Sequence, residues 1–135
     1  MKKFTDKFGQ NAGKVWVTLN TRGQLNETNL LKNTKLTTND LYIAVGWLAR
    51  ENKIFKNGSF YKLGETNLTN TIGENAGKVW KTLENQKEVD ISSIAKITNL
   101  KVRDAYSAIG WLAREDKIHI KKLQSNNNDV FVKIK

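Results

Sequence analysis

One nine-residue stretch occurs twice in this chain. GWLARENKI at 46–54 returns as GWLAREDKI at 110–118, an offset of 64 residues. The same offset aligns GQNAGKVWVTL (9–19) with GENAGKVWKTL (73–83), and no gap is needed between the two matches. A repeat at a fixed spacing indicates that the chain consists of two copies of one structural unit.

The repeat predicts two domains, residues 1–64 and residues 65–135, joined by a linker at about 64–71. Two copies are too few to form a solenoid, so each copy must bury its own core or share one with its twin. A linker of about seven residues spans at most ~25 Å when extended, which keeps the two copies close together.

Helical periodicity dominates each copy. In the second copy, apolar residues at helical spacing predict a first helix over 75–83. A short strand is expected at VDI (89–91). Ser92 is a candidate N-cap for a second helix that buries Ile94, Ala95 and Ile97.

A third helix is expected over about 101–116, with Val102, Ala105, Ile109, Leu112 and Ala113 on its core side. Its counterpart in the first copy begins at Thr37, followed three residues later by Asp40, which is close to a capping box.

After the third helix the pattern changes to the two-residue period of strands. In IFKNGSFYKL (54–63), Asn57-Gly58 between alternating runs predicts a β-hairpin. The second copy has IHIKKL (118–123), a polar loop at 124–129 and VFVKI (130–134). Helix, short strand, helix-turn-helix and hairpin is the order of a winged helix-turn-helix domain. The predicted fold class is therefore mainly α with small β-wings (α+β), in two tandem winged helix-turn-helix domains.

The phrases NAGKVW and GWLARExKI, at the spacing found here, resemble a family of small bacterial and archaeal winged helix-turn-helix domains of largely undefined function. The resemblance covers nearly the whole chain, once per copy. It implies the fold and, more weakly, binding to nucleic acid, and it implies no catalytic residue. Many members resemble a single unit, so the tandem arrangement is a departure from the family.

The charge points to a polyanionic partner. The chain has a formal net charge of +10 and a pI near 9.8, which favours nucleic acid. Residues 1–64 carry 11 Lys and Arg against 4 Asp and Glu, and residues 65–135 carry 12 against 9.

The third helix and the wing are the expected DNA-binding elements, because a winged helix lays its third helix in the major groove. In the second copy, the side of this helix opposite the core carries polar and basic residues. The predicted contacts in this copy are Lys101, Arg103, Ser107, Arg114, Lys121 and Lys122.

The first copy differs at the same positions, where Asn39 replaces Arg103 and Ile43 replaces Ser107. Ile43 and Trp47 lie one turn apart on the outward side, which is unusual for a helix that reads a charged groove. Either the wing or first helix covers this pair, or it marks a contact between the repeats, in a dimer or with another protein. The candidate interface residues are Ile43, Trp47 and Trp111, and the candidate phosphate contacts of this copy are Lys35, Thr37, Thr38, Asn39, Lys56 and Lys62.

Gly46 and Gly110 need a structural reason, because a glycine inside a helix costs about 1 kcal/mol relative to alanine. Close approach by another backbone or by Trp16 and Trp80 is one explanation, with the small residues at 12–13 and 76–77 as expected partners. A role in ligand binding is the alternative.

Several classes of function lack the residues they need. The chain has no Cys and one His, and no acid–base or nucleophilic constellation, so we expect no enzyme, no cofactor and no metal site. The N-terminus has no apolar run of a signal peptide, and no apolar span has membrane length, so we expect a cytoplasmic protein without a membrane partner.

The sequence therefore predicts a double-stranded DNA-binding protein, a transcriptional regulator or nucleoid-associated factor that uses the third helix and wing of each repeat. The alternative is a protein–protein interaction module that uses the Ile43/Trp47 face and has no DNA role.

Overall fold

The computed structural model describes residues 4–122 and 130–135, and each repeat follows the same order of elements. The first repeat contains α1 (Phe4–Arg22), β1 (Leu25–Asn26), α2 (Glu27–Thr34), α3 (Thr38–Arg50), β2 (Ile54–Asn57) and β3 (Phe60–Leu63). A short π-helical segment, Thr69–Gly73, then runs into the second repeat, which contains α4 (Glu74–Asn85), β4 (Glu88–Asp90), α5 (Ile91–Thr98), α6 (Val102–Arg114), β5 (Ile118–Lys122) and β6 (Val130–Ile134).

Each repeat has one small antiparallel sheet. The strand orders are β1-β3-β2 in the first repeat and β4-β6-β5 in the second, so the short strand after the first helix pairs with the outgoing strand of the wing. This arrangement confirms the predicted fold class of two tandem winged helix-turn-helix units. The polar loop expected at 124–129 lies outside the described residues.

The wing of the first repeat turns one residue later than predicted. Asn57 pairs with Phe60 in the β2–β3 ladder, so the turn consists of Gly58 and Ser59. Gly58 has φ of +60°, a conformation that glycine adopts without a steric penalty. The hairpin prediction itself is confirmed.

Side-chain caps begin the third helix of the first repeat and the second helix of the second. The Thr37 side chain accepts a hydrogen bond from the Asp40 amide, which confirms the start of α3. The cap of α5, however, is Asp90 and not Ser92. The Asp90 carboxylate accepts hydrogen bonds from the amide and the hydroxyl of Ser93, so the helix begins one residue before the predicted cap.

Two residues expected in the core are exposed. Ile97 is 55% exposed because, at 100° per residue, it lies roughly 110° away from the buried side formed by Ile91, Ile94 and Ala95. Val102 is 49% exposed because it is the first residue of α6, ahead of the turns that pack against the rest of the repeat.

The two repeats share their cores. The core of the second repeat includes Phe8 and Ile43 from the first repeat, and both are almost fully buried. The core of the first repeat includes Ile72 and packs against Trp111. The two units therefore form one packed structure, in which each completes the other.

The segment between the repeats is anchored to the first wing. The Asn67 side chain accepts a hydrogen bond from the Lys56 amide and donates one to the Lys56 carbonyl. The Asn52 side chain accepts a further bond from the Thr66 amide. These contacts direct the chain from β3 back toward the interface between the repeats.

Candidate nucleic-acid interface and the contact between the repeats

The third helices of the two repeats, α3 and α6, pack directly against each other. A methyl group built on Gly46 would lie 1.8 Å from the carbonyl oxygen of Ser107, and one built on Gly110 would lie 1.9 Å from that of Ile43. Glycine is required where two backbones approach this closely. The predicted close approach by another backbone is confirmed, but the expected partners are wrong, because nothing lies within 4 Å of a methyl group on Gly13 or Gly77.

The side of α3 and α6 that was expected to face outward is buried in this contact. Ile43 is 2% exposed and Ser107 is 9% exposed. Ser107 was predicted to contact DNA, and its burial contradicts that prediction, since a covered side chain cannot reach a groove. The periodicity of α6 indicates which side faces the repeat's own core. It contains no information on whether a second helix covers the opposite side.

The two tryptophans of the repeated stretch fill the edges of the contact. Trp47 lies against Gly9 of α1, and Trp111 lies against Gly73, the last residue of the π-helical segment that leads into α4. The Arg114 guanidinium stands 5.8 Å from the ring centre of Trp47, and Arg50 stands 5.7 Å from that of Trp111. Each tryptophan is therefore half-buried, between its own first helix and an arginine of the other repeat.

Reciprocal ion pairs complete the contact. Arg50 Nε lies 3.0 Å from a carboxylate oxygen of Glu115, and Arg114 Nε lies 2.9 Å from one of Glu51. Arg114, a predicted DNA contact, is thus engaged in the contact between repeats. The sequence signal for these pairs is an Arg-Glu dipeptide at the same place in both copies.

Other predicted DNA contacts remain at the surface. Among the described residues, the turns that precede α3 and α6 and both wings expose Lys35, Thr37, Thr38, Lys62, Lys101, Arg103 and Lys121. Asn39 and Lys56 are half-buried. Lys122 lies in β5, where its backbone pairs with Val130.

The exposed residues differ in what already engages them. The Thr37 hydroxyl oxygen accepts the capping hydrogen bond of α3, so its O–H can still donate to a phosphate. The Lys62 ammonium lies 5.1 Å from the ring centre of Phe55, and the Lys56 ammonium lies 5.6 Å from that of Tyr61. Within the part of the chain that the structure describes, Lys35 and Lys101 form no ion pair.

A cleft between the repeats contains polar residues that sequence analysis did not single out. The Tyr42 hydroxyl donates a 2.7 Å hydrogen bond to Glu27. Burial and the Glu27 carboxylate raise the pKa of Tyr42, while the nearby Arg103 opposes the rise. Burial, with Glu27 and Tyr42 adding to it, raises the pKa of Tyr61 to about 12. Asp104 also lines this cleft.

Two further features bear on function. Among the described residues, no group of three or more His, Asp or Glu side chains is arranged to hold a metal ion. None of the helices in the described ranges combines the length and the apolar character needed to cross a membrane.

Comparison with known proteins agrees with the internal repeat. A family model described as a winged helix-turn-helix domain (DUF2582) matches residues 1–63 and again residues 67–133. An uncharacterized protein of Methanocaldococcus jannaschii is 46% identical over 57 residues, which cover 38% of this chain and 76% of that protein. No solved structure gives a significant match. The chain belongs to the winged helix-turn-helix (DUF2582) family and contains its domain twice.

Proposed function

We propose that this protein binds double-stranded DNA as a covalent pseudo-dimer, as a transcriptional regulator or a nucleoid-associated factor. The fold supports the proposal, because winged helix-turn-helix domains commonly bind DNA. The net charge of +10 supports it as well, since Lys and Arg contacts to phosphate dominate the affinity for DNA. The observation that carries it is that basic residues at the turns before α3 and α6 stay exposed after the repeats have packed together.

The contact between the repeats limits how the DNA is read. Full insertion of α3 or α6 into a major groove would require the side of the helix that carries Ile43 or Ser107. That side is buried between the two repeats. Among the described residues, polar and basic groups at the start of each helix and on the wing strands stay exposed, so the contacts are mainly to phosphate. Val102, exposed between Lys101 and Arg103, offers an apolar group for a thymine methyl. The proposed binding is therefore of low sequence specificity.

The alternative, a protein-interaction module built on the Ile43/Trp47 face, has less support. Ile43 is buried by the second repeat, and Trp47 lies between Gly9 and Arg114. A partner could use this face only after the two repeats had separated.

Fluorescence anisotropy with random duplex DNA at about 50 and 200 mM salt tests the proposal. We expect dissociation constants of about 10⁻⁴ to 10⁻⁶ M at physiological salt, with affinity falling steeply as salt rises. An absence of binding below about 100 µM at low salt would contradict DNA binding.

Substitutions borrowed from the twin repeat locate the surface. Lys35→Asn and Lys101→Thr introduce the residues that the other copy has at 99 and 37, so the fold should tolerate both changes. The pair should weaken binding and lower the magnitude of the salt slope by about 2, because each lysine neutralises about one phosphate. The matched control is Lys14→Gln with Lys78→Gln, which removes the same charge from exposed positions on α1 and α4. Equal effects of the two pairs would place the DNA elsewhere.

A second comparison tests the asymmetry between the repeats. Arg103→Ala should weaken binding more than Asn39→Ala, because only the former removes a charge. Equal reductions in affinity would show that the first turn of α6 has no special role.

A further inference from the structure

The contact between the repeats leaves one cleft open. A cavity of about 290 Å³ lies between Glu27, Lys56 and Tyr61 of the first repeat and Arg103, Asp104 and Ser107 of the second. Its volume lies just below the ~300–1,000 Å³ found for small-molecule sites. The rest of its wall has apolar side chains and three further polar ones: Val45, Leu68 and Ile72, with Tyr42, Thr71 and Asn75.

The equivalent place on the other side of the pseudo-dimer is filled by apolar residues. At the offset of 64 residues, Phe8 replaces Ile72, Ile43 replaces Ser107 and Ile91 replaces Glu27. All three belong to the core of the second repeat and are at most 2% exposed. Val132, which has the ladder position of Tyr61, is fully buried in the same core.

The comparison shows that the repeated fold does not itself need a cavity here. Larger apolar residues close the cleft on one side and leave one continuous core. The open cleft instead has the smaller Ser107 and Ile72 and the charged Glu27, each of which buries less apolar surface than its counterpart. Such a reduction of packing on one side only is expected of a binding site.

Charges of both signs line the open cleft, with Tyr42 between the Glu27 carboxylate and the Arg103 guanidinium. Glu27 and Asp104 are anionic, and Lys56 and Arg103 are cationic. Within the described residues, none of these four forms an ion pair with a nitrogen–oxygen distance of 4.0 Å or less. The Glu27 carboxylate accepts a hydrogen bond from the Tyr42 hydroxyl, so it is oriented although no described Lys or Arg pairs with it.

We propose that the open cleft binds a small zwitterion of the free amino acid class. The Arg103 guanidinium provides two parallel donors for a carboxylate, and Lys56 adds positive charge. Glu27 and Asp104 provide acceptors for an ammonium group. A ligand of one sign would satisfy one pair and face repulsion from the other, whereas a zwitterion satisfies both, and the apolar wall takes a short side chain.

Binding is measured directly on the full chain, so the result does not depend on whether the protein binds DNA. The probes are the twenty common L-amino acids, each added singly while the thermal unfolding midpoint is followed. A ligand that binds only the folded state raises the midpoint in a concentration-dependent way. Titration calorimetry then gives the stoichiometry, and we expect one molecule per chain. If no amino acid shifts the midpoint, the proposal is overturned.

Analogues of the amino acid that binds test the need for both charges. The amine that lacks its carboxylate and the acid that lacks its amino group should each bind at least about tenfold more weakly. Equal binding by either analogue would overturn the assignment of a zwitterion.

Two variants test the location, and both introduce the residue found at the equivalent position of the other repeat. Ser107→Ile fills part of the cleft, and Arg103→Asn removes the guanidinium. Each should abolish binding or weaken it at least about tenfold, and Ser107→Ile should also raise the unfolding midpoint of the ligand-free protein. Lys101→Thr, two residues before Arg103 in the chain but not part of the cleft wall, is the matched control and should leave amino-acid binding unchanged. Unchanged binding in both cleft variants would place the ligand elsewhere and overturn the proposal.

Discussion

The α-carbon of Gly46 faces the carbonyl oxygen of Ser107 so closely that a methyl group on Gly46 would lie 1.8 Å from that oxygen. Gly110 has the same relation to the carbonyl of Ile43. The repeated stretch GWLARE therefore has a specific physical meaning. Its glycine lets the third helices meet, and its tryptophan fills the edge of the contact. Its arginine pairs with the glutamate of the same stretch in the other repeat.

Gly46→Ala should destabilise the protein, although alanine is the better helix former. The added methyl group meets backbone, which can yield only if α3 and α6 move apart, and overpacking of this kind costs about 1–3 kcal/mol. Urea unfolding measures the change. Gly13→Ala is the matched control, because Gly13 lies inside α1 with nothing within 4 Å of the new methyl group. The control should stabilise by about 0.5–1 kcal/mol, and stabilisation by both changes would contradict the close contact.

The reciprocal ion pairs should show coupling across the repeats. Arg50→Glu should destabilise the protein by about 1 kcal/mol, because it places two carboxylates together, and Glu115→Arg in the same molecule should recover part of that stability. A double-mutant cycle from urea unfolding gives the coupling, expected at about 0.2–1 kcal/mol for a partly exposed pair and smaller at high salt. Strictly additive effects would mean that the pair does not form in solution.

The raised pKa of Tyr61 predicts that the protein loses stability at high pH. Its pKa is raised to about 12 in the folded state from an ordinary value of 10.0, chiefly by burial. A raised pKa contributes stability that is complete below pH 10 and is lost as the pH rises through 12. A shift of two pKa units corresponds to roughly 3 kcal/mol in the free energy of unfolding. The pH dependence of the free energy of unfolding, compared between the wild-type protein and Tyr61→Phe, measures the contribution of Tyr61. The wild-type protein should lose more stability than the variant between pH 10 and 12, and parallel curves would contradict the shift.

The N-cap of α5 is Asp90, whereas the sequence alone favoured Ser92. Asp90→Ala should cost about 1 kcal/mol, since it leaves the Ser93 amide without its acceptor, whereas Ser92→Ala should change stability by less than about 0.5 kcal/mol. The hydrogen bonds from Ser93 lower the pKa of Asp90 below its ordinary value. The stability that Asp90 contributes is therefore fully present above the ordinary pKa of an aspartate. It is lost as the pH falls through the lowered pKa of Asp90. Denaturant unfolding of both variants at neutral and acid pH measures this, and a larger effect of Ser92→Ala would identify Ser92 as the cap.

The amino-acid sequence by itself determined the repeat, the order of elements and the positions of the wings. These features depend on neighbours along the chain: apolar residues at helical spacing, Thr37 before α3, and Asn57-Gly58 at a change of period. Even its errors were local, such as the cap at Ser92 and the side of α5 that carries Ile97. The sequence also indicated a close neighbour at Gly46 and Gly110. A glycine inside a helix is costly, so its presence needs a reason such as a close contact.

Only the tertiary structure decided which surfaces are free. Periodicity identifies the side of a helix that faces its own repeat, but it cannot show whether a second domain covers the opposite side. Ser107 looked like a residue facing DNA and is instead buried against α3, while Glu27, Tyr42 and Arg103, far apart in the chain, meet at one open cleft. The physical reason is that burial is a property of the packed assembly, and here the packing partner of each third helix is its own duplicate.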